Sequence, residues 1–294
     1  RRPTNTYRRC VVTHSPIPLV DLKAQRQEIA HLVEPGFADV LDVERRLQTP
    51  LAERADGLLR PEVEKHGDGV VCVTLFVPER PELAEAAAGH AAYLARNLEL
   101  GHDQTKGKPG FTGASPGARA LQAGFGSNQV SENIHASLGS ETRPKEWVDN
   151  LFTGIYHRLR FLDFHVDRLG LAQAREDFTA VVFVMANAAQ ASLCSDRGPT
   201  SDLDSYYFGI CLDPERKVPA ADWEQAKQRV QQANPALLVW PPDGADGVLP
   251  AFAEETPDPL PELEVSGNPL SIHFNPPRFE AVELERFELF RAED

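Results

Sequence analysis

A chain of 294 residues is long enough for about two domains on a prior of roughly 150 residues each. Its 30 basic and 44 acidic side chains leave a formal net charge of −14, which argues against nucleic acid or an anionic bilayer as main partner, since either needs a basic stripe. Hydrophobic residues at 41% and charged residues at 25% fit a chain with a sizeable core, and no run approaches the roughly 18 apolar residues of a spanning helix.

The chain opens at Arg1 and Met185 is its only methionine, so a mature or trimmed product is expected. Cys10, Cys72, Cys194 and Cys211 form no CxxC pair and no zinc-ligand spacing. Four scattered cysteines suit one or two disulfides in an exported protein, with four buried thiols as the alternative. Sequence leaves the pairing open, although a Cys194–Cys211 bridge would clip a loop between two expected strands.

From Leu19 to Leu59 the pattern is helical: Leu22, Ile29, Leu32 and Val33 lie close to one stripe, Pro35-Gly36 breaks it, and Phe37, Val40, Leu41, Val43 and Leu47 begin another. After the His66–Gly69 turn, Val70–Val77 reads as a buried strand. Pro81 suits the first turn of a long helix over Glu82–Leu98, with Gly101 as its expected stop. Residues Asp103–Ser131, rich in Gly, Ser, Pro and Lys, read as a long ordered loop. A helix is expected over Pro144–Phe161, strands over Phe178–Ala186 and Tyr206–Leu212, a helix over Trp223–Ala233 and a strand over Ala236–Trp240. Pro241–Pro261 reads as a linker. Leu270–Phe274 and Phe279–Phe290 read as closing strands, the last with a bulge where the alternation slips at Glu285-Arg286.

Gly113-Ala-Ser115-Pro-Gly117 matches the spacing of a nucleophile elbow and fails on chemistry. The elbow needs a preceding strand and a backbone N–H after the serine, and Pro116 has none. Asp202-Leu-Asp204 and Asp243-Gly-Ala-Asp246 lack the alternating oxygen ligands and distal glutamate of a calcium loop, so they read as solvated turns. HExxH, a Walker loop and a GxGxxG after a strand do not occur.

His102, Glu132 and His157 are the remaining candidates for chemistry. Two imidazoles and a carboxylate can hold a divalent cation with positions left for water, or can work as an acid–base set near neutral pH. Gly89-His-Ala-Ala-Tyr-Leu-Ala-Arg-Asn97, Gly101-His-Asp103, Glu132-Asn-Ile134 and Tyr156-His-Arg158, with Leu162-Asp163 and Leu169-Gly170, resemble in order and separation the bacterial branch of the CAP superfamily, also called SCP-like, cysteine-rich secretory or pathogenesis-related proteins. The resemblance spans about Pro81–Ala172, under a third of the chain. Trp240-Pro-Pro-Asp-Gly244, Glu255–Pro261, Ser266-Gly267 and Phe274-Asn275 look like the tail that follows such domains in some bacterial members.

The resemblance implies an α+β fold, a three-layer α-β-α sandwich, preceded by a helical lead and followed by a small β-rich tail. The chain then divides into 1–72 (helical segment), 73–240 (CAP-like domain) and 241–294 (Pro-rich linker and β tail). In the family two histidines and two glutamates converge in a cleft; His102 matches the first histidine, Glu132 the first glutamate and His157 the second histidine, while Gly154 stands where the second glutamate falls. Zinc or another divalent cation on His102 and His157 is an expectation from the family. His90, in an alanine-rich helix, reads as a structural hydrogen bonder, and Tyr93, Asn133 and Arg158 as supporting residues.

Three functions follow as expectations. The first is a secreted or cell-envelope protein binding a cation, lipid or glycan in the His102/Glu132/His157 pocket without catalysis. The second is an extracellular hydrolase with Glu132 activating water and His102 or His157 assisting. The third is a structural or adhesive component that meets a protein partner through the β tail.

Overall fold

A computed structural model describes residues 62–65, 71–74, 80–138, 144–176, 178–195, 205–241, 248, 250–252, 255, 257–283 and 285–286. The expected helical lead, Cys10, the 66–69 turn and the acidic pairs at 202–204 and 243–246 lie outside the described residues. In chain order the elements begin with β1 (Glu62–Lys65), β2 (Val71–Thr74), α1 (Pro81–Asn97), α2 (Pro116–Gln122) and β3 (Val130–Leu138). α3 (Pro144–Thr153), α4 (Ile155–Phe161), β4 (Arg168–Arg175), β5 (Phe178–Ala186) and α5 (Ala188–Leu193) follow. The remainder are β6 (Tyr206–Tyr207), β7 (Val218–Pro219), α6 (Ala220–Ala233), β8 (Leu237–Trp240), β9 (Ala251–Phe252), β10 (Ser266–Gly267), β11 (Ser271–Phe274) and a 3-10 turn at Pro276–Arg278. Helix and strand are mixed in an α+β chain. The described residues fall into two compact units, one running through to Ala233 from α1, the other holding β1, β2 and everything from Asn234 onward.

The larger unit is built on a three-stranded antiparallel sheet of order β3-β5-β4. β5 lies in the middle and is buried from Thr179 to Ala186. Side chains alternate across a strand, so its residues divide between two cores. Ala180, Val182, Val184 and Ala186 pack with Leu83, Ala87, Ala91 and Leu94 of α1, with Ala120 of α2 and with Ile134 of β3. Val181, Phe183 and Met185 pack with Trp147 and Leu151 of α3, with Phe161 of α4 alongside. Burial on both faces is why this strand reads as an unbroken apolar run.

α1 begins with Pro81 at its first turn, where a missing N–H costs nothing. Its alanines let it lie close to the sheet, and Gly170 of β4 completes the approach: a Cβ there would sit 2.1 Å from the Leu83 carbonyl carbon. Leu98, not the expected Gly101, takes the left-handed cap, with φ +53° and its N–H donated to the Leu94 carbonyl.

Several sequence expectations need correction. The 103–131 segment contains α2 and the start of β3, and neither β3 nor β4 is anticipated. The expected 144–161 helix is two helices, because Gly154 takes an extended conformation (ψ 126°) between α3 and α4. The 206–212 strand shrinks to β6, since Gly209 at φ +69° turns the chain; Cys211 then makes only an isolated bridge to Ser127. A disulfide joins Cys194 to Cys211, closing the loop between α5 and the β6–β7 ribbon.

In the smaller unit β1 pairs with β2, β9 with β10 and β8 with β11, all antiparallel. The expected strand and bulge over Phe279–Phe290 are absent among its described residues. Pro276 and Pro277 turn the chain out of β11, which already has β8 as partner, so the later alternation has no ladder to join.

Candidate functional site

The site begins where α1 ends. Asn97 Nδ2 donates to Tyr93 O (2.8 Å) and Pro109 O (2.9 Å), tying the following loop to the last turn of the helix. The Tyr93 hydroxyl donates to Glu99 Oε2 (2.8 Å) and accepts from the Thr105 N–H (2.9 Å). Within this frame His90 is fully buried: its Nε2–H donates to Gly101 O (3.0 Å), and its Nδ1 accepts from Gln104 Nε2 (3.0 Å). Gln104 is itself held by the Thr112 N–H on Oε1 (2.7 Å). These partners assign the Nε2–H tautomer. Burial drives the His90 pKa down to about 4, outweighing the opposing pull of Glu132, so the ring is neutral and structural, as its setting in α1 suggested.

α2 supplies the cation of the site. Ser115 caps it by accepting from the Ala118 N–H (3.2 Å), and Pro116 opens it, which gives the failed elbow motif its real purpose. Gly113, at φ +150°, lies so close to α2 that a Cβ would be 2.9 Å from Arg119 N. Through that gap Arg119 turns inward with its side chain 0% exposed, donating from Nη1 to Gly113 O (3.3 Å) and from Nη2 to His102 O (2.9 Å).

Glu132, on β3 opposite Val184, points to the same face. Its side chain is 1% exposed and receives Arg119 Nη2 at 3.0 Å on Oε1 and 2.8 Å on Oε2, and His102 Nδ1 at 3.0 Å on Oε1. His90 Nε2 lies 3.6 Å from the same oxygen. With its Nδ1–H given to the carboxylate, the neutral form of His102 carries its lone pair on Nε2. The His102 side chain is 53% exposed, so this arrangement is an anchored imidazole offering one acceptor nitrogen to solvent.

Two of the three expected residues are therefore joined directly. His157 is tied in through its main chain: Asn133 Nδ2 donates to His157 O (2.9 Å). Asn133 follows Glu132 on β3 and so faces the other side of the strand. Arg158 is fully buried and donates from Nε to Phe152 O (2.7 Å), stitching α4 to α3. Among the described residues no group of three or more His, Cys, Asp or Glu is arranged to hold a metal ion, and Glu132 is already committed to Arg119.

Sequence reading missed Arg119 and Gln104. Arg119 meets Glu132 from thirteen residues away, through a turn that only the Gly113 and Ser115-Pro116 signals foreshadow. Gln104 lies in a segment read as loop and carries no pattern of its own.

No family model matches the chain, and no curated protein matches it. Among solved structures, an extracellular protein containing an SCP domain from Bacillus anthracis str. Ames is 21% identical, covering 38% of this chain and 34% of its own, with a TM-score of 0.31. An outer surface protein from Borrelia burgdorferi is 16% identical, covering 37% of this chain and 75% of its own, also at a TM-score of 0.31. The chain thus spans about a third of the first of these proteins. Likenesses of this size fix neither fold nor activity. No described helix is long and apolar enough to cross a membrane.

Proposed function

We propose that the larger unit is a CAP-like α-β-α domain of an exported protein, and that it binds a small polar ligand through His102 without turning it over. The single observation that carries the reading is the buried Arg119–Glu132 pair with His102 Nδ1 on the same carboxylate. It fixes the ring and its tautomer and leaves Nε2 as the group a ligand donor meets. The order of motifs from Gly89 to Gly170 supports the family, and the two apolar cores on opposite faces of β5 support the three layers. The Cys194–Cys211 disulfide supports an oxidising compartment, outside the cell or in its envelope.

Hydrolysis with Glu132 as the base is the less favoured reading. Both carboxylate oxygens are engaged, and the side chain is closed to solvent, so an attacking water has no route to it. A divalent cation is also less favoured: with Glu132 neutralised by Arg119, His102 and His157 would have to hold it with water alone. A lipid or glycan headgroup bearing an N–H or O–H donor fits Nε2 better.

The test is nuclear magnetic resonance of the histidine rings in the full chain. Imidazole, glycerol phosphate, N-acetylglucosamine and zinc are titrated in turn. A saturable shift of His102 by an organic probe, lost in His102→Ala and His102→Phe, supports the reading. Response to zinc alone would transfer the assignment to a cation site, and silence to every probe would end it.

A further inference from the structure

We propose that the β6–β7 ribbon is a docking platform for a neutral polysaccharide chain, at a place separate from His102 and independent of how that residue is used. Tyr206 and Phe208 lie on one face of the ribbon, 39% and 70% exposed, while Tyr207 turns to the other face against Trp223. Two neighbouring aromatics left on the surface run against the hydrophobic effect. Two exposed rings held side by side offer a surface on which a flat ligand can stack.

The platform is rigid. Asn128 donates from N to Ile210 O (2.9 Å) and from Nδ2 to Gly209 O (2.8 Å), and Ser127 Oγ donates to Ile210 O (3.0 Å). Gly209 N–H reaches Pro214 O (3.1 Å), the Cys194–Cys211 bridge closes the base, and Cys211, Val218 and Trp223 form a small core beneath. The rings are thus oriented before any ligand arrives, which lowers the entropy cost of binding. Tyr206 and Phe208 have their centroids 6.3 Å apart, Lys217 Nζ sits 4.4 Å from the Tyr206 centroid, and Tyr207 rests against Trp223 (5.8 Å) with its hydroxyl donated to Glu224 Oε1 (3.2 Å).

Three features choose the occupant. First, the patch is small: at 150–250 Å² for a whole aromatic side chain, the exposed fractions of Tyr206 and Phe208 amount to roughly 200 Å², about a quarter of what one partner of a stable protein interface contributes. Second, a charged group touches the platform: Lys217 lies over the Tyr206 ring. A wholly apolar cover such as an acyl chain would strip water from it without giving a hydrogen bond back. A pyranose gives both at once, C–H bonds to the ring faces and a hydroxyl to the Lys217 ammonium at the rim. Third, the chain's acid excess repels nucleic acids and anionic bilayers, which leaves an uncharged sugar chain as the matching polymer.

The experiment titrates the full-length protein with cellohexaose, chitohexaose and xylohexaose, followed by calorimetry, with phosphatidylcholine vesicles as a parallel arm. At least one hexamer is expected to bind saturably at millimolar concentration. Phe208→Ala and Tyr206→Ala should each weaken it about tenfold, with Leu138→Ser, an exposed apolar change elsewhere, as the control. Unchanged circular dichroism and melting in both aromatic variants show that the fold is retained. Failure of all three hexamers, equal binding by Phe208→Ala, or Phe208-dependent sedimentation with the vesicles instead would each overturn the proposal. None of these outcomes bears on the ligand at His102.

Discussion

Glu132→Gln isolates the electrostatics of the site. Glutamine keeps the size of the side chain and an oxygen for Arg119, and removes only the charge. The guanidinium it leaves behind is 0% exposed and cannot turn to water. Removing one member of a buried pair costs about 3–5 kcal/mol, because the remaining charge is uncompensated. The double variant Arg119→Met with Glu132→Gln loses both charges, so most of that penalty should disappear, giving a coupling of about 2–3 kcal/mol in the double-mutant cycle. Urea unfolding at pH 7, with slopes shared across the four proteins, measures it. A Glu132→Gln cost below about 1 kcal/mol, or costs that simply add in the double variant, would refute the claim that this ion pair holds the loop and the strand together.

Acid should weaken the fold through His90. The unfolded histidine takes a proton near 6.5 and the folded one only near 4, so between these values the unfolded state binds more protons. Stability is therefore full above pH 6.5 and falls as the pH drops, by about 2 kcal/mol at pH 5 and about 3 kcal/mol below 4; His90→Gln should flatten that part of the urea-midpoint profile. Gly170→Ala forces a methyl against the backbone of α1 at Leu83 and should cost at least ~2 kcal/mol in thermal unfolding. Leu83→Ala, which empties a fully buried position of the α1 core, should cost about 2–5 kcal/mol by the same measurement. Replacing Cys194 and Cys211 together by serine opens a 17-residue loop and should cost about 3 kcal/mol, with mass spectrometry of the alkylated parent confirming the bridge.

The elements that were legible in the sequence are those whose signal is local. α1 announces itself through Pro81 and a stripe of alanine and leucine, and β5 through a strand-length apolar stretch rich in valine and phenylalanine. β3 was invisible because its buried positions include Glu132 and Asn133, polar residues tolerated only through partners elsewhere in the chain. β4 was hidden by Gly170, Ala172 and Ala174, chosen for closeness to α1 rather than for strand propensity. The same distinction runs through the site. His102 and Glu132 stood out as residue types, whereas Arg119 could not, since its role depends on a turn, a cap and a strand thirteen residues on. The His90 reading succeeded because an imidazole amid buried alanines has few alternatives to a hydrogen bond.

The central place of β5 has a consequence for the order of assembly. β4 meets it across a tight connection, Arg175 opposite Thr179, whereas β3 pairs with it from Leu138 opposite Phe178 to Val130 opposite Ala186, separations of 40 and 56 residues by subtraction. On the ribosome α1, α2 and β3 therefore emerge with their apolar faces uncovered, and wait several seconds for the strand that seals them. The keystone arrives last. Arg119 and Glu132, thirteen residues apart, both belong to that early half, so their meeting needs only a short loop to close.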